Sequence, residues 1–455
     1  MHENRSPWIH QLNIQREAKK LTEDVSTDVV IVGAGIAGIS TAFFILRETD
    51  KNVVLVDADR VAHGASGHNG GHMVTYFEKQ LYEIAEMFGV KMATEGQKAI
   101  EETWALFDLM YTEAGLNIPV ARFTGYTGLT GYQHVLECLE NNRCRKEGEI
   151  NFERLQIADD AKFLREIPEK YAGLYELTAR EKIMECLETT DDSYVALLSS
   201  QKGCANSALI CNEIADYLSR KYPERFTLFE KTPIKKIVME ENYGILDAIT
   251  HTITAIDVVL CTNGFEHIEI FAKGGLSINR KFHENLEGYI GYMSAYLEKM
   301  NKPPIAISYI QNPDTGLASD ELNYFYLTRR QYEYEKGVEH NLISVGGPGN
   351  FVEQKHLYDK KALLTHEIIG EIDSFVKKTY KLHPNKKIEH TFSWHGLMGY
   401  TKNRIRLIGP EKEDHNLFYN LGCNGVGLMP SIYGGWKVAK LLAGELFSPS
   451  IFDPE

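Results

Sequence analysis

The sequence predicts an α/β fold, and three observations carry that expectation: a β-α-β pattern between residues 28 and 57, a second glycine-rich loop and helix between 416 and 444, and a length of 455 residues. That length exceeds what one compact core usually supports, so two domains are expected. A hydrophobic share of 43% with 25% charged residues is that of an ordinary folded protein.

The first pattern reads DVVIVGAGIAGISTAFFILRETDKNVVLVD. Val29 to Val32 is an unbroken apolar run, as in a parallel strand buried on both faces. Ile39, Ala42, Phe43 and Leu46 fall at i, i+3, i+4 and i+7, which places one helix face on the sheet. Gly33 makes the tight turn out of the strand, Gly35 lets backbone approach a diphosphate, and Gly38 permits close contact between helix and strand. Ile36 and Ala37 open the helix, whose free N–H groups and dipole attract negative charge. Asp57, with Ala58 after it, closes the second strand where a ribose diol would be bound. This is a Rossmann-like dinucleotide unit, and it leaves FAD and a nicotinamide nucleotide both open.

Next comes ADRVAHGASGHNGGHM, residues 58 to 73, in which small residues let backbone lie against a flat ligand. Gly64, Ala65, Ser66, His68, Asn69, Gly70 and Gly71 are its candidate contacts, and His63 and His72 read as ordinary loop histidines. In the middle of the chain, TPIKKIV (232 to 238) offers Ile234. A buried strand at Val258 to Leu260 runs into Thr262, Asn263 and Gly264. Near the C-terminus, FSWHGLMGYTKNRIRLIG (392 to 409) supplies Gly396, and NLFYNLGCNGVGLMPSIYGGWKVAKLLAG (416 to 444) supplies Asn424, Gly425, Val426, Gly427 and Leu428. Gly422, Gly425 and Gly427 let the chain pass over a ring system, and Pro430 suits the first turn of the helix that follows. The positive end of that helix would stabilise charge on a reduced flavin. A nicotinamide enzyme has no need of this second loop.

The GASGHNGG segment and the two C-terminal stretches together resemble the FAD-dependent D-amino-acid oxidase superfamily, closest to the gamma-glutamylputrescine oxidase-like amine oxidases. Trp394, Gly396, Thr401, Asn403, Arg404 and Gly409 carry the C-terminal part, with Arg406 where the pattern has proline. The resemblance implies FAD as cofactor and an α/β fold in which a Rossmann-like FAD-binding domain is interleaved with an α+β substrate domain built on an antiparallel sheet. The expected division is an N-terminal extension (1–26), FAD-binding segments at 27–80, 191–280 and 389–455, and substrate segments at 81–190 and 281–388. His68 stands where the pattern has arginine. Dimethylglycine dehydrogenase-like members bear a flavin-linked histidine there, so a covalent bond through His68 is one expectation and simple hydrogen bonding the other.

On the substrate side, residues 323 to 347 alternate and turn like a β-hairpin, presenting Tyr324, Tyr326 and Arg329. Arg329 is the candidate partner for a substrate carboxylate, since a guanidinium pairs with carboxylate in a two-pronged fork. Met398 occupies the place of the arginine that glycine-oxidase-like members use. That favours an amine held by the faces of Tyr289, Tyr292 or Tyr324. His395 is the candidate proton acceptor. The expected chemistry is hydride transfer from the carbon beside nitrogen to flavin N5, giving an imine, with oxygen or another acceptor reoxidising the flavin. The alternatives are a nicotinamide-dependent dehydrogenase and a flavin-binding scaffold or sensor without turnover.

A net charge of −14, with no basic stripe interleaved with aromatics, argues against nucleic acid and for a small-molecule partner. The seven scattered cysteines suggest neither disulfides nor zinc, and no other metal spacing occurs. With neither a signal peptide nor a membrane span legible, a cytoplasmic location is expected. The sequence does not speak to oligomeric state.

Overall fold

The computed structural model describes all residues except 1, 15, 265–267, 273–277, 279–285, 301, 311–323, 353–357, 381–387 and 455. Among the described residues, nine strands form one sheet and ten another.

The first sheet grows around Val25–Val32, whose last four residues are all buried. A strand covered on both faces needs neighbours on both edges. Val53–Val56 lies parallel on one side, pairing Val29 with Val53, and Thr252–Leu260 lies parallel on the other, pairing Val32 with Leu260. Phe226–Phe229 extends the row beyond Val53–Val56, and Leu417–Leu421 pairs with the end of Thr252–Leu260. The helix Ile36–Glu48 is buried from Ile36 to Leu46 because Leu428–Leu442 lies against it. Gly435 makes that closeness possible, since a Cβ there would stand 2.7 Å from the Thr41 nitrogen.

The second sheet is mainly antiparallel, with two parallel contacts, between Ile305–Ile310 and Val120–Leu129 and between Arg154–Ala158 and Glu176–Thr178. The expected hairpin forms: Tyr324–Glu335 pairs with Val338–Val352 around Gly337, whose φ is +82°. Three strands depart from the expected division, His72–Met73 in the first FAD-binding segment among them. Ala196–Ala205 and Phe392–Thr401 fall inside the proposed FAD-binding segments, yet both are strands of the second sheet. Phe392–Thr401 pairs with Leu286–Lys299 from Thr401 opposite Leu286 to Phe392 opposite Ala295, so its backbone groups are satisfied there. The short strand His72–Met73 joins the same sheet through Ala196–Ala205. The proposed division at 280/281 lies outside the described residues.

The stretch expected as an N-terminal extension packs into the protein. Trp8 is fully buried, edge-on to Trp394, and its ring supports the Arg330 guanidinium at 4.4 Å. All seven cysteines are free thiols. Among the described residues, no helix is long and apolar enough to cross a membrane.

Candidate functional site

The site begins at the glycine turn. Gly33 has φ +102°, and a Cβ there would stand 2.8 Å from the Cys261 carbonyl oxygen, so only glycine fits. A Cβ on Gly38 would collide with the Gly33 carbonyl, which shows how closely the helix lies on the turn. The Asp57 carboxylate accepts hydrogen bonds from the N–H groups of Ala34 and Asp59, both at 2.7 Å. It therefore fixes the turn while keeping lone pairs for a ligand hydroxyl. Burial raises its pKa, and the two backbone donors oppose that shift. Beside it, the upward push of burial on Asp59 is outweighed by Lys231 and Lys360, which hold its carboxyl well below the usual range.

The loop from Gly64 to Gly71 is held from behind. Asn69 donates to the carbonyls of Ala65 and Ser66 and to the Ser207 hydroxyl, while its own carbonyl accepts from the indoles of Trp8 and Trp394. The Ile36 N–H, at the helix start, donates to Ser66 Oγ at 2.9 Å. His68 Nδ1 lies 3.0 Å from the Gly64 carbonyl. That oxygen can only accept, so Nδ1 carries the proton and Nε2 the lone pair. Burial lowers the His68 pKa to about 4, so the ring is neutral at pH 7.

Asn263 ties this half to the C-terminal one. It has φ +73°; its side chain donates to the Leu397 carbonyl at 3.2 Å and accepts from the Cys423 N–H at 3.0 Å. The glycine loop it anchors leads through Gly425, at φ +75°, to the helix Leu428–Leu442. Both this helix and Ile36–Glu48 have glycine at the N-cap and no side-chain cap. The end of the helix Leu428–Leu442, and the N–H groups of Ile36–Glu48 beyond the Ile36 N–H that Ser66 takes, thus remain available for an anionic ligand.

These parts meet in one cavity. It is lined by Gly33, Gly35, Ile36, Ala37, Asp57, Ala58, Gly64, Ala65, Ser66, His68 to Gly71, Thr262, Asn263, Gly396, Gly425, Val426, Gly427 and Leu428. The second sheet adds a wall of Tyr289, Tyr324, Tyr326 and Tyr400, with Met293 and Met398. Four of the residues expected to contact cofactor lie elsewhere. Gly38 packs behind Gly33, Ile234 is in the core, Gly264 faces Leu286, and the Asn424 side chain accepts from the Thr401 N–H.

Two catalytic candidates are corrected. Arg329 is 1% exposed and outside the cavity lining, with its guanidinium bound to both Glu188 oxygens, the Pro303 carbonyl and the Tyr380 hydroxyl. It has no free fork to offer a substrate. His395 is 2% exposed, with Nε2 3.0 Å from the Ala362 carbonyl, and it also lies off the lining. Tyr324 does line the cavity, and burial raises its pKa well above the usual phenol value.

The sequence reading missed Tyr76, Asp59, Lys360 and Arg406 in the lining. The Arg406 side chain donates to the Asn420 side chain and to the carbonyls of Asn420 and Gly422, and burial lowers its pKa to about 10. Its one visible signal was the departure from proline at that position. Tyr326 was legible as lying two residues from Tyr324 on the same strand face.

The chain matches known proteins along most of its length. It is 22% identical over 453 residues to the probable oxidoreductase OrdL of Haemophilus influenzae, covering 97% of this chain and 95% of that protein. It is 37% identical over 73 residues to the gamma-glutamylputrescine oxidoreductase of Escherichia coli, covering 16% and 17% of the two chains. Among solved structures, glycine oxidase from Geobacillus kaustophilus superposes with a TM-score of 0.64 at 14% identity, covering 94% of this chain and 97% of that one. The profile of the FAD dependent oxidoreductase family matches residues 28–441. With two glycine-headed helices and two glycine loops around one cavity, the chain belongs to that family of FAD-dependent oxidoreductases.

Proposed function

We propose that this protein oxidises the carbon-nitrogen bond of a small amine to an imine, which water hydrolyses to a carbonyl compound, with oxygen as the final acceptor. The observation that carries the reading is that glycine loops from opposite ends of the chain line one cavity, whose remaining wall is tyrosine and methionine. Bound FAD supplies the two-electron acceptor. The chain's residues fit it: helix starts at Ile36 and Leu428 for negative charge, Asp57 for a ribose, and Gly396 and Gly425 to Gly427 for a flat ring. The relatives' names, an oxidoreductase for gamma-glutamylputrescine and an oxidase for glycine, support nitrogen compounds as substrates. An amine is favoured over an amino acid because Arg329 is spent on Glu188 and Met398 faces the cavity.

His68 is the proposed attachment point for the flavin. A neutral ring with an unprotonated Nε2 could bond the flavin's 8-methyl carbon, which would lose a hydrogen as a proton and leave the bond's electron pair on the flavin for oxygen to remove, and the Gly64 hydrogen bond holds that tautomer. Purified protein should show a flavin band near about 450 nm that amines bleach under anaerobic conditions. Acid-precipitated protein should stay yellow, and the His68→Ala variant should give a colourless pellet. A wild-type protein that takes up no FAD would end the proposal, and a colourless wild-type pellet would end the covalent part alone.

A further inference from the structure

One carboxyl beside the cavity has no part in the fold's ion pairs. Glu78 follows the short strand His72–Met73, and Tyr324 donates to its Oε1 at 3.4 Å. Its Oε2 stands against Gly425, where a Cβ would collide with it and come within 2.9 Å of the Tyr400 hydroxyl. Tyr324, Tyr400 and Gly425 all line the cavity. Glu78 is partly exposed and is not itself part of the cavity lining; it meets the cavity through these three residues. Among the described residues, no ion pair to Glu78 forms.

We propose that Glu78 is the anionic anchor for the substrate's cationic nitrogen and the base that takes its proton, so that the substrate is an aliphatic amine with no carboxylate on the reacting carbon. This rests on the reading of the protein as a C–N oxidase. The groups facing Glu78 are Tyr76 from its own segment, Tyr324 and Tyr326 from the hairpin, Tyr400 and Arg404 from the strand Phe392–Thr401 and the turn after it, and Cys423 from the glycine loop. Burial raises the pKa of each of these phenols and of the thiol, so they stay neutral near pH 7, and the charged groups around them are Glu78, Arg404 and, behind Cys423, Arg406, whose three nitrogens are all bonded to Asn420 and Gly422. Arg404 is directed elsewhere, 3.7 Å from Glu287 and stacked over the Tyr400 ring. Tyrosine faces around a single carboxylate make a receptor for an ammonium group and a poor one for a zwitterion.

The step balances without a further reagent. One ammonium N–H bond breaks and its proton goes to a Glu78 oxygen, leaving the electron pair on nitrogen. That pair forms the C=N bond as hydrogen leaves the adjacent carbon as hydride, taking the C–H pair to the FAD of the family's activity. Burial pushes the Glu78 pKa up to about 7, with Tyr324 and Arg404 opposing, which places proton exchange near neutral pH.

The test is anaerobic reduction of the FAD-loaded protein by primary amines from propylamine to hexylamine, compared with both enantiomers of 2-aminobutyrate. The amines should reduce the flavin, with a rate that rises as pH passes through about 7. Glu78→Gln, at unchanged FAD content, should abolish that limb and raise the KM for amines roughly tenfold or more, while Glu78→Asp should keep the limb. Should Glu78→Gln fail to hold FAD, tetramethylammonium titrated into the native protein replaces it, since its flavin-monitored affinity should rise as Glu78 ionises. A Glu78→Gln protein with both limb and KM intact, or pH-independent tetramethylammonium binding, overturns the assignment but leaves C–N oxidation standing. Faster reduction by 2-aminobutyrate overturns the substrate class. An FAD-loaded protein that no amine or amino acid reduces removes the oxidase reading itself.

Discussion

Glu188 and Arg329 meet in a two-pronged ion pair at 2.7 and 2.8 Å, with Tyr380 bonded to both. Burial alone would raise the Glu188 pKa, but Arg329 and Lys302 outweigh it and hold the carboxyl down at about 2. A pKa lower in the folded state than in the unfolded one means the pair's stability is complete above the ordinary carboxylate range and is lost as pH falls toward 2. Arg329→Met leaves the half-buried Glu188 carboxylate with only Lys302 and the Tyr380 hydroxyl and should cost about 1–3 kcal/mol near neutral pH. Denaturant titrations should show that gap shrinking between pH 5 and pH 3, while turnover per bound FAD stays at the wild-type level. A gap of equal size at pH 3 would contradict this account. Strand parity, already present in the sequence, explains why Arg329 is here and not in the cavity. Side chains alternate along a strand, so Tyr324 and Tyr326 on one face exclude Arg329 from it. The same rule separates His395 from Gly396, Met398 and Tyr400, which line the cavity at even positions of their strand.

At the level of single elements, the contact between the helix Ile36–Glu48 and the turn before it is a tight backbone constraint on the site. In a Gly38→Ala variant, the new methyl would meet the Gly33 carbonyl, an immobile backbone group. The helix must then lift off its strand, which should cost about 1–3 kcal/mol and lower FAD content, as read by thermal melting and by the ratio of flavin to protein absorbance. A variant with wild-type melting and full FAD would show that the helix has room to spare. This unit was legible because its parts are neighbours in the chain and each glycine has a local task. The strands Ala196–Ala205 and Phe392–Thr401 were not legible as members of the second sheet, since the alternation of a strand is the same whichever sheet it joins. Glu78 was missed for a related reason. It lies just beyond the recognisable GASGHNGG segment, and its companions Tyr324, Tyr400 and Gly425 are hundreds of residues away.

Over the whole molecule, FAD should act as a structural ligand as well as a reactant, because its cavity is lined from both sheets and both glycine loops. A ligand present at about a thousand times its Kd adds roughly 4 kcal/mol to the folded state. Melting temperature should therefore climb with the logarithm of added FAD until any covalent bond forms, and a flat response would mean the cavity is not where FAD binds. The burial of Trp8 against Trp394 and the Asn69 carbonyl has a bearing on biosynthesis. The ribosome releases the first of these indoles long before the second exists, and the strand Leu417–Leu421 that completes the parallel row comes later still. The cradle for the nucleotide is thus translated well before the strands that close it, so its first half must wait, unsealed, for partners several hundred residues downstream.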